Sequence, residues 1–226
     1  GIADIEFGDQ REAANRVAEE IADADAADVT VLLSHSGSAE SECSAVAGDE
    51  SDFGDLTAGA SEEIDAIVSA HTHQTYSCLI EGPTGVERPV IQAHQYGTTL
   101  GTLDISVDTE SKELISIEGG LVPLVEDGVP AFPADPAVEE LVAEATEAAD
   151  EAGAVEVGAI SADILRGGTP SGSDRGVEST LGNTVADLYL WATSNEDYAG
   201  TPAQIGLMNP GGLRDDLLFG EDGTMT

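Results

Sequence analysis

Two short apolar runs in the first third of the sequence end in histidine. The first is VTVLLSHSG, which contains His35, and the second is IDAIVSAHTHQTY, which contains His71 and His73. Short apolar runs bounded by turn residues are typical of buried strands. In an extended backbone, residues i and i+2 point to the same side, so His71 and His73 would converge on one point if the strand continued through them. The runs therefore predict buried strands, and the second predicts a pair of candidate metal ligands.

Further elements are predicted from hydrophobic periodicity and turn residues. For the first half of the chain, the pattern predicts a helix over residues 9–23, a solvated loop over 39–60, a short helix near Ser61, a third strand that starts at Pro89, and a hairpin over 103–107 and 114–117. Helices and strands that alternate in this way indicate a layered α/β domain.

A proline-rich linker separates this domain from a second α/β unit. Asp135 and Pro136 predict the N-cap and first residue of a helix that ends at Gly153. After that helix we predict a short strand, the polar turn RGGTPSGSDRG, a helix from Ser179 with its apolar positions inward, and a strand AQIGLM. The predicted boundaries are 1–125 for the first domain, 126–153 for the linker and helix, and 154–226 for the second domain.

The charge balance of the chain is strongly acidic. It has 45 acidic and 7 basic residues, which give a net charge of -38. Such a field disfavours nucleic acid and anionic membranes as partners. Disorder is the alternative for so acidic a chain, but regular apolar patterning argues against it. We interpret the acidity as adaptation to high salt, which screens repulsion between surface carboxylates.

The two cysteines, Cys43 and Cys78, form no metal or redox motif. We predict that they are small buried hydrophobic residues rather than a bridge. The sequence contains no apolar run of the ~18 residues that a membrane-spanning helix needs, and its first residues do not resemble a signal peptide.

Three histidines and one glycine-rich segment are candidates for chemistry. His35, His71 and His73 follow strand ends, where ligands bind in layered α/β folds, and neutral imidazoles suit zinc, manganese or iron. The segment LMNPGGLRDDL combines a close backbone approach with the planar fork of Arg214, and Arg175 precedes a helix start, where anions are favoured. The alternatives are structural histidines and an ordinary turn in which Arg214 pairs with a neighbouring aspartate.

Five segments carry a resemblance that covers nearly the whole chain. LLSHSG, SAHTH, RPVIQAHQYGTTLGTLDI, ESTLGNTVAD and MNPGGLR occur in the order seen in the 5'-nucleotidase family of calcineurin-like metallophosphoesterases. This family includes UDP-sugar hydrolases and 2',3'-cyclic-nucleotide phosphodiesterases. The resemblance implies part of a layered αββα metallophosphoesterase sandwich, followed by part of an α/β nucleotide-binding domain.

The resemblance also implies a site with two divalent metal ions, such as zinc or manganese. His35 and His71 would ligate one metal and His73 the other. Residues Arg175, Asn209 and Arg214 look like those of the second domain that contact the nucleotide. His94, where family members have glycine, is interpreted as a surface loop residue.

Several family motifs are absent, including those that supply the aspartate ligands and a catalytic histidine. We therefore expect a piece that is incomplete at both ends, with no catalytic residue of its own, from a halophilic and extracytoplasmic nucleotide phosphoesterase. Missing strands would leave a sheet edge uncovered, which favours a homodimer. The alternative is a non-catalytic module that binds a metal or a nucleotide weakly.

Overall fold

The computed structural model describes residues 4–220 and 223–225, the last two of these by their backbone alone. The chain divides into two compact units, Gly1–Pro133 and Ala134–Thr226. Each unit combines helices with strands, so the chain is a mixed α/β protein, as the sequence predicted.

The first unit contains a four-stranded sheet, helices on one face of it and a long β-hairpin on the other. In chain order, its elements are α1 (Gln10–Asp23), β1 (Val31–Leu33), α2 (Cys43–Ala47), α3 (Asp52–Ala58), β2 (Ala66–Val68), β3 (Thr75–Glu81), β4 (Glu87–Ala93), β5 (Thr99–Val107), β6 (Leu114–Pro123), β7 (Val125–Glu126) and β8 (Val129–Pro130).

The sheet has the strand order β1-β2-β4-β3. Strands β1, β2 and β4 are parallel, whereas β3 pairs antiparallel with β4 at one edge. The register places Leu32 opposite Ile67 and Ile67 opposite Val90. Because β1, β2 and β4 run in one direction, the loops that follow them leave from the same edge of the sheet.

The core lies between the sheet and the helices. Ala18 of α1 and Phe53 and Leu56 of α3 pack against Ile67 and Val90 of the sheet, and all five are buried. On the opposite face, glycines let the hairpin of β5 and β6 approach the sheet closely.

The close approach is visible at one glycine of β6. A β-carbon added at Gly119 would lie 2.7 Å from Cγ2 of Ile91, so a larger residue there would push the two layers apart.

The loop prediction for residues 39–60 is wrong, because this segment contains α2 and α3. Helices of 5 and 7 residues are too short to repeat an apolar period. Their formation depends on local capping, as Ser51 at the start of α3 shows, and on burial of Val46 and Phe53. The helix predicted near Ser61 is a turn instead, closed by the Ile64 N–H donating to the Ser61 carbonyl.

Strand β4 begins at Glu87, so Pro89 lies inside the strand and not at its start as predicted. The ladder with β2 begins only at Val90, and Pro89 therefore faces β3 alone. A missing N–H is tolerated where a strand is paired on one side.

Cys43 of α2 and Cys78 of β3 form a disulfide, so the prediction of two separate buried thiols is wrong. Their Cα atoms lie 5.3 Å apart, although 35 residues separate them in the sequence. Only the fold brings them together, since their spacing matches no cysteine motif.

The second unit has two long helices and short strands. Its elements are α4 (Pro136–Gly153), β9 (Gly158–Ala159), α5 (Thr180–Ala192), a 3-10 turn (Pro210–Gly212) and β10 (Thr224–Met225). The predicted start of α4 is confirmed, since the Asp135 carboxylate accepts from the Ala137 and Val138 N–H groups. The start of α5 is also confirmed, since Ser179 accepts from the Gly182 N–H.

Two details of the second unit differ from prediction. The segment AQIGLM, residues 203–208, is not a strand, because no strand lies beside it in the described part of the chain to pair its backbone. On α5, Leu181 is buried as predicted, but Leu188 is exposed.

Within the described residues, no helix is both long and apolar enough to cross a membrane.

Candidate functional site

All four histidines of the sequence lie in loops at one edge of the parallel strands. His35 follows β1, His71 and His73 follow β2, and His94 follows β4 directly. The carboxyl edge of parallel strands is where open α/β sheets bind ligands. The first unit therefore gathers its imidazole groups at the edge where a ligand site is expected.

His35 and His71 form the closest pair in this group. Nε2 of His35 lies 3.3 Å from Nδ1 of His71, and the ring centroids are 5.1 Å apart. Both side chains are exposed, so an ion can reach them from solvent.

The spacing of these two nitrogens fits a shared metal ion. Nitrogen ligands bind zinc at about 2.0–2.1 Å, and two of them at a tetrahedral angle lie roughly 3.3–3.4 Å apart. The 3.3 Å separation therefore matches two neighbouring ligand positions. No cluster of three or more His, Cys, Asp or Glu side chains with metal-site geometry occurs among the described residues.

The strand does not continue through His71 and His73, which was the condition for their predicted convergence. Strand β2 ends at Val68, and both histidines have left-handed backbone conformations, with φ of 75° for His71 and 60° for His73. The spacing rule for extended chains does not apply to such a loop. The His73 ring lies beside Tyr96, with centroids 6.1 Å apart.

His94 occupies the loop after β4, and its side chain is exposed. Its Nδ1 lies 2.7 Å from the Thr98 hydroxyl, and its backbone N–H donates to the Gln74 carbonyl. His94 is therefore an exposed loop residue that supports the connection between β4 and β5.

The second unit brings the three predicted substrate-binding residues together around Gly211. Asn209 caps the 3-10 turn by accepting from the Gly211 N–H at 3.1 Å, and Arg214 Nη1 donates to the Gly211 carbonyl at 3.3 Å. Nη1 of Arg175 would lie 3.7 Å from a β-carbon placed on Gly211. We call these three residues the Gly211 group.

Two properties of the Gly211 group suit an anion. Both of its arginines are exposed, and within the described residues Arg175 has no hydrogen-bond or ion-pair partner. Guanidinium groups match the planar and bidentate geometry of carboxylate and phosphate. The absence of a side chain at Gly211 leaves the backbone open to close approach.

Sequence reasoning missed Arg166, which stabilises the segment that carries Arg214. Its side chain donates to the Asp216 carboxylate at 3.1 and 3.4 Å and to the Arg214 carbonyl at 2.8 Å. Asp216 thus pairs with Arg166. No local pattern in the sequence signals a pair that is 50 residues apart.

The electrostatics of this pair are strong. The Arg166 side chain, the Arg166 backbone N–H and the Ser171 hydroxyl donate to Asp216 and lower its pKa to about 2. Hydrogen bonds to the charged form of a carboxyl group favour that form. Asp216 is therefore ionised at neutral pH and offsets one of the arginine charges.

The chain matches no protein-family model. Among curated proteins, it is 29% identical over 232 residues to Endonuclease YhcR of Bacillus subtilis (strain 168), a match that covers 97% of this chain and 16% of that protein. Among solved structures, it is similar to a 5'-nucleotidase precursor from Thermus thermophilus. The TM-score is 0.57 at 22% identity, over 97% of this chain and 40% of that one.

A second solved structure is a putative 5'-nucleotidase from Staphylococcus aureus in complex with alpha-ketoglutarate. The TM-score is 0.51 at 20% identity, over 91% of this chain and 39% of that one. The chain thus spans less than half of the length of each of these three proteins. These comparisons confirm the predicted fold class: the chain has a mixed α/β fold of the kind found in 5'-nucleotidases.

Proposed function

We propose that the protein takes part in metal-dependent hydrolysis of nucleotide phosphoesters, as a 5'-nucleotidase, UDP-sugar hydrolase or 2',3'-cyclic phosphodiesterase would. The observation that carries this proposal is the His35–His71 pair, with its nitrogens 3.3 Å apart at the carboxyl edge of the parallel strands. The likeness of the fold to 5'-nucleotidases supports the substrate class.

The histidines have distinct roles in this proposal. His35 and His71 hold one divalent ion, such as zinc or manganese, and His73 contributes to a second. When bound, such ions supply Lewis-acid polarisation of a phosphoryl oxygen.

The Gly211 group binds the nucleotide in this proposal. Arg175 and Arg214 neutralise and orient an anionic part of the ligand, and Asn209 fixes the turn on which Arg214 depends. Preorganised donors of this kind are effective because they need no rearrangement when the ligand arrives.

A second candidate function is cleavage of nucleic-acid phosphodiester bonds. It is favoured by the similarity to a protein named as an endonuclease. The net charge of -38 opposes it, since a polyanion is repelled along its whole length at low ionic strength. We therefore rank a mononucleotide substrate above a nucleic acid.

The location that we propose is extracytoplasmic. The supporting observation is the Cys43–Cys78 disulfide, since disulfides persist mainly in oxidising compartments. Thiol labelling of freshly isolated protein tests this, and two reactive thiols per chain would contradict it.

Metal binding and turnover test the proposed function together. The chain is purified in concentrated KCl, and Mn²⁺ and Zn²⁺ affinities are measured by calorimetry. Phosphate release from AMP and cleavage of supercoiled DNA are measured in the same samples with and without EDTA. We expect metal binding that falls at least tenfold in His35→Ala and in His71→Ala.

The matched control is His94→Ala, which removes a histidine from the same edge but outside the pair. It should bind metal as the wild type does. A wild-type chain that binds neither ion would contradict the proposed function. Metal binding without turnover would favour a binding module over an enzyme, and DNA cleavage faster than AMP hydrolysis would favour the endonuclease candidate.

A further inference from the structure

The loop that carries His71 and His73 is strained. Both residues have positive φ, a conformation that is unfavourable for an L-residue with a side chain. Strained conformations persist only where the surrounding structure holds them in place. The residues that hold this loop therefore decide where the histidine rings lie.

A buried glutamine lies directly beneath the loop. Gln92 is the second-last residue of β4 and is only 1% exposed. Its Oε1 accepts from the Gln74 N–H at 2.7 Å, which identifies this atom as the oxygen, and lies 3.0 Å from the Thr72 hydroxyl. Gln92 thus contacts the loop between the two histidines and again just after them.

The other end of the same amide is anchored in the core. Nε2 of Gln92 donates to the Tyr76 hydroxyl at 3.0 Å and to the Ser69 hydroxyl at 3.4 Å. All four hydrogen-bonding positions of the amide are therefore used. A buried polar group that is fully satisfied fixes one conformation and is costly to replace.

The loop that carries His35 rests on the same glutamine. A β-carbon on Gly37 would collide with Nε2 of Gln92 and would lie 2.6 Å from the Ala70 carbonyl oxygen. The Thr72 hydroxyl also shares its proton with the Ser38 carbonyl at 2.6 Å. Both histidine loops therefore meet at Gln92.

We propose that Gln92 is a positioning residue that sets the spacing of His35 and His71. It contacts neither ring, and acts through Thr72, Gln74 and the backbone around Gly37. The inference rests on the proposed function in one respect, namely that the pair binds metal. The spacing itself is a property of the metal-free chain.

The test uses Gln92→Met, which keeps the length of the side chain and removes its hydrogen bonds. Thr57→Val is the matched control, since Thr57 is also buried at 1% exposure and donates within α3 alone. Two readouts are measured in the full chain: Co²⁺ affinity by absorbance, and the nuclear Overhauser effect between the His35 and His71 rings without metal.

We expect Gln92→Met to raise the Co²⁺ dissociation constant ten- to hundredfold and to abolish the ring-to-ring effect, while Thr57→Val changes neither. If Gln92→Met does not fold, Thr72→Val removes the hydroxyl contact at a half-buried position and should raise the dissociation constant several-fold.

The outcomes separate the two proposals. A wild-type chain that shows the ring-to-ring effect but binds no Co²⁺ would contradict the proposed function. The positioning role of Gln92 would then be decided by the nuclear Overhauser effect alone, which is measured without metal. Unchanged ring contact and unchanged affinity in Gln92→Met would overturn the positioning role.

Discussion

Arg166 and Asp216 lie 50 residues apart and are joined by three hydrogen bonds, one from the backbone N–H of Arg166 at 2.8 Å and two from its side chain at 3.1 and 3.4 Å. The pair connects the polar turn that begins at Arg166 to the segment that follows Arg214. The backbone position of Arg214 thus depends on the Arg166–Asp216 ion pair, because Arg166 also donates to the Arg214 carbonyl.

This pair predicts a pH-dependent contribution to stability. The pKa of Asp216 is lowered to about 2, below the ordinary value of 3.8. A group whose pKa is lower in the folded state contributes stability above its unfolded pKa and loses it as the pH falls through the folded pKa. We expect Asp216→Asn to lower the free energy of unfolding at pH 6, with the difference from wild type shrinking between about pH 4 and pH 2.

Chemical unfolding at a series of pH values checks this prediction. Asp215→Asn is the control, since the Asp215 side chain is 96% exposed and 3.9 Å from Arg166, and it should change stability little. A difference for Asp216→Asn that stays constant down to pH 2 would show that the ion pair is not its source.

The disulfide predicts sensitivity of the first unit to reducing agents. Cys43 and Cys78 close a loop of 35 residues, and a cross-link of that length stabilises a fold by about 3–4 kcal/mol through the unfolded chain. We expect the double variant Cys43→Ser, Cys78→Ser to lose stability by this amount in urea unfolding. Reducing agent should destabilise the wild type and leave the double variant unchanged; an equal response of both proteins would contradict the prediction.

Gly37 predicts a steric limit next to the histidine pair. A β-carbon there would collide with the Gln92 amide and lie 2.9 Å from the Thr72 hydroxyl. We expect Gly37→Ala to lower the free energy of unfolding by roughly 1–3 kcal/mol, as overpacking does. Gly8→Ala, which adds a methyl group with nothing within 4 Å, is the control. Equal stabilities of the two variants in urea would refute the steric argument.

The acidic surface predicts stabilisation by salt. On α4, Glu140 with Glu144 and Glu147 with Glu151 are exposed like-charged pairs at i,i+4, each unfavourable by a few tenths of a kcal/mol at low ionic strength. We expect the free energy of unfolding to rise with KCl concentration. Glu144→Lys with Glu151→Lys should stabilise the chain in dilute buffer and flatten that rise. If the wild type is equally stable in dilute buffer and in concentrated KCl, the interpretation of the acidity as adaptation to high salt is contradicted.

Local signals were enough to predict the long helices α1, α4 and α5. The N-cap Asp135 with Pro136 located the start of α4, and Ser179 located that of α5. Two of the failures are helices too short to show a period, and a third is a strand whose alternating pattern was present in the sequence. Helices α2 and α3 depend on burial against the sheet, and strand β3 was missed although TYSCLIE alternates exposed and buried residues.

The candidate site shows the same division. Strand ends predicted that His35 and His71 lie at one edge of a sheet. The two-residue repeat of an extended chain predicted that His71 and His73 point to the same side. In the structure, both residues have left-handed backbone conformations, and His71 contacts His35 instead. The pair of Arg166 with Asp216 leaves no trace in the local sequence.

The Gly211 group places two exposed arginines in a chain of net charge -38, and its proposed role in binding an anion has a kinetic consequence. If the group binds an anion as proposed, the net charge repels that anion at long range and the arginines attract it at contact distance. Salt screens the long-range repulsion first, since the Debye length is about 10 Å at 0.1 M. The association rate of a small anion should therefore increase with added salt, the reverse of the usual behaviour of steered encounters.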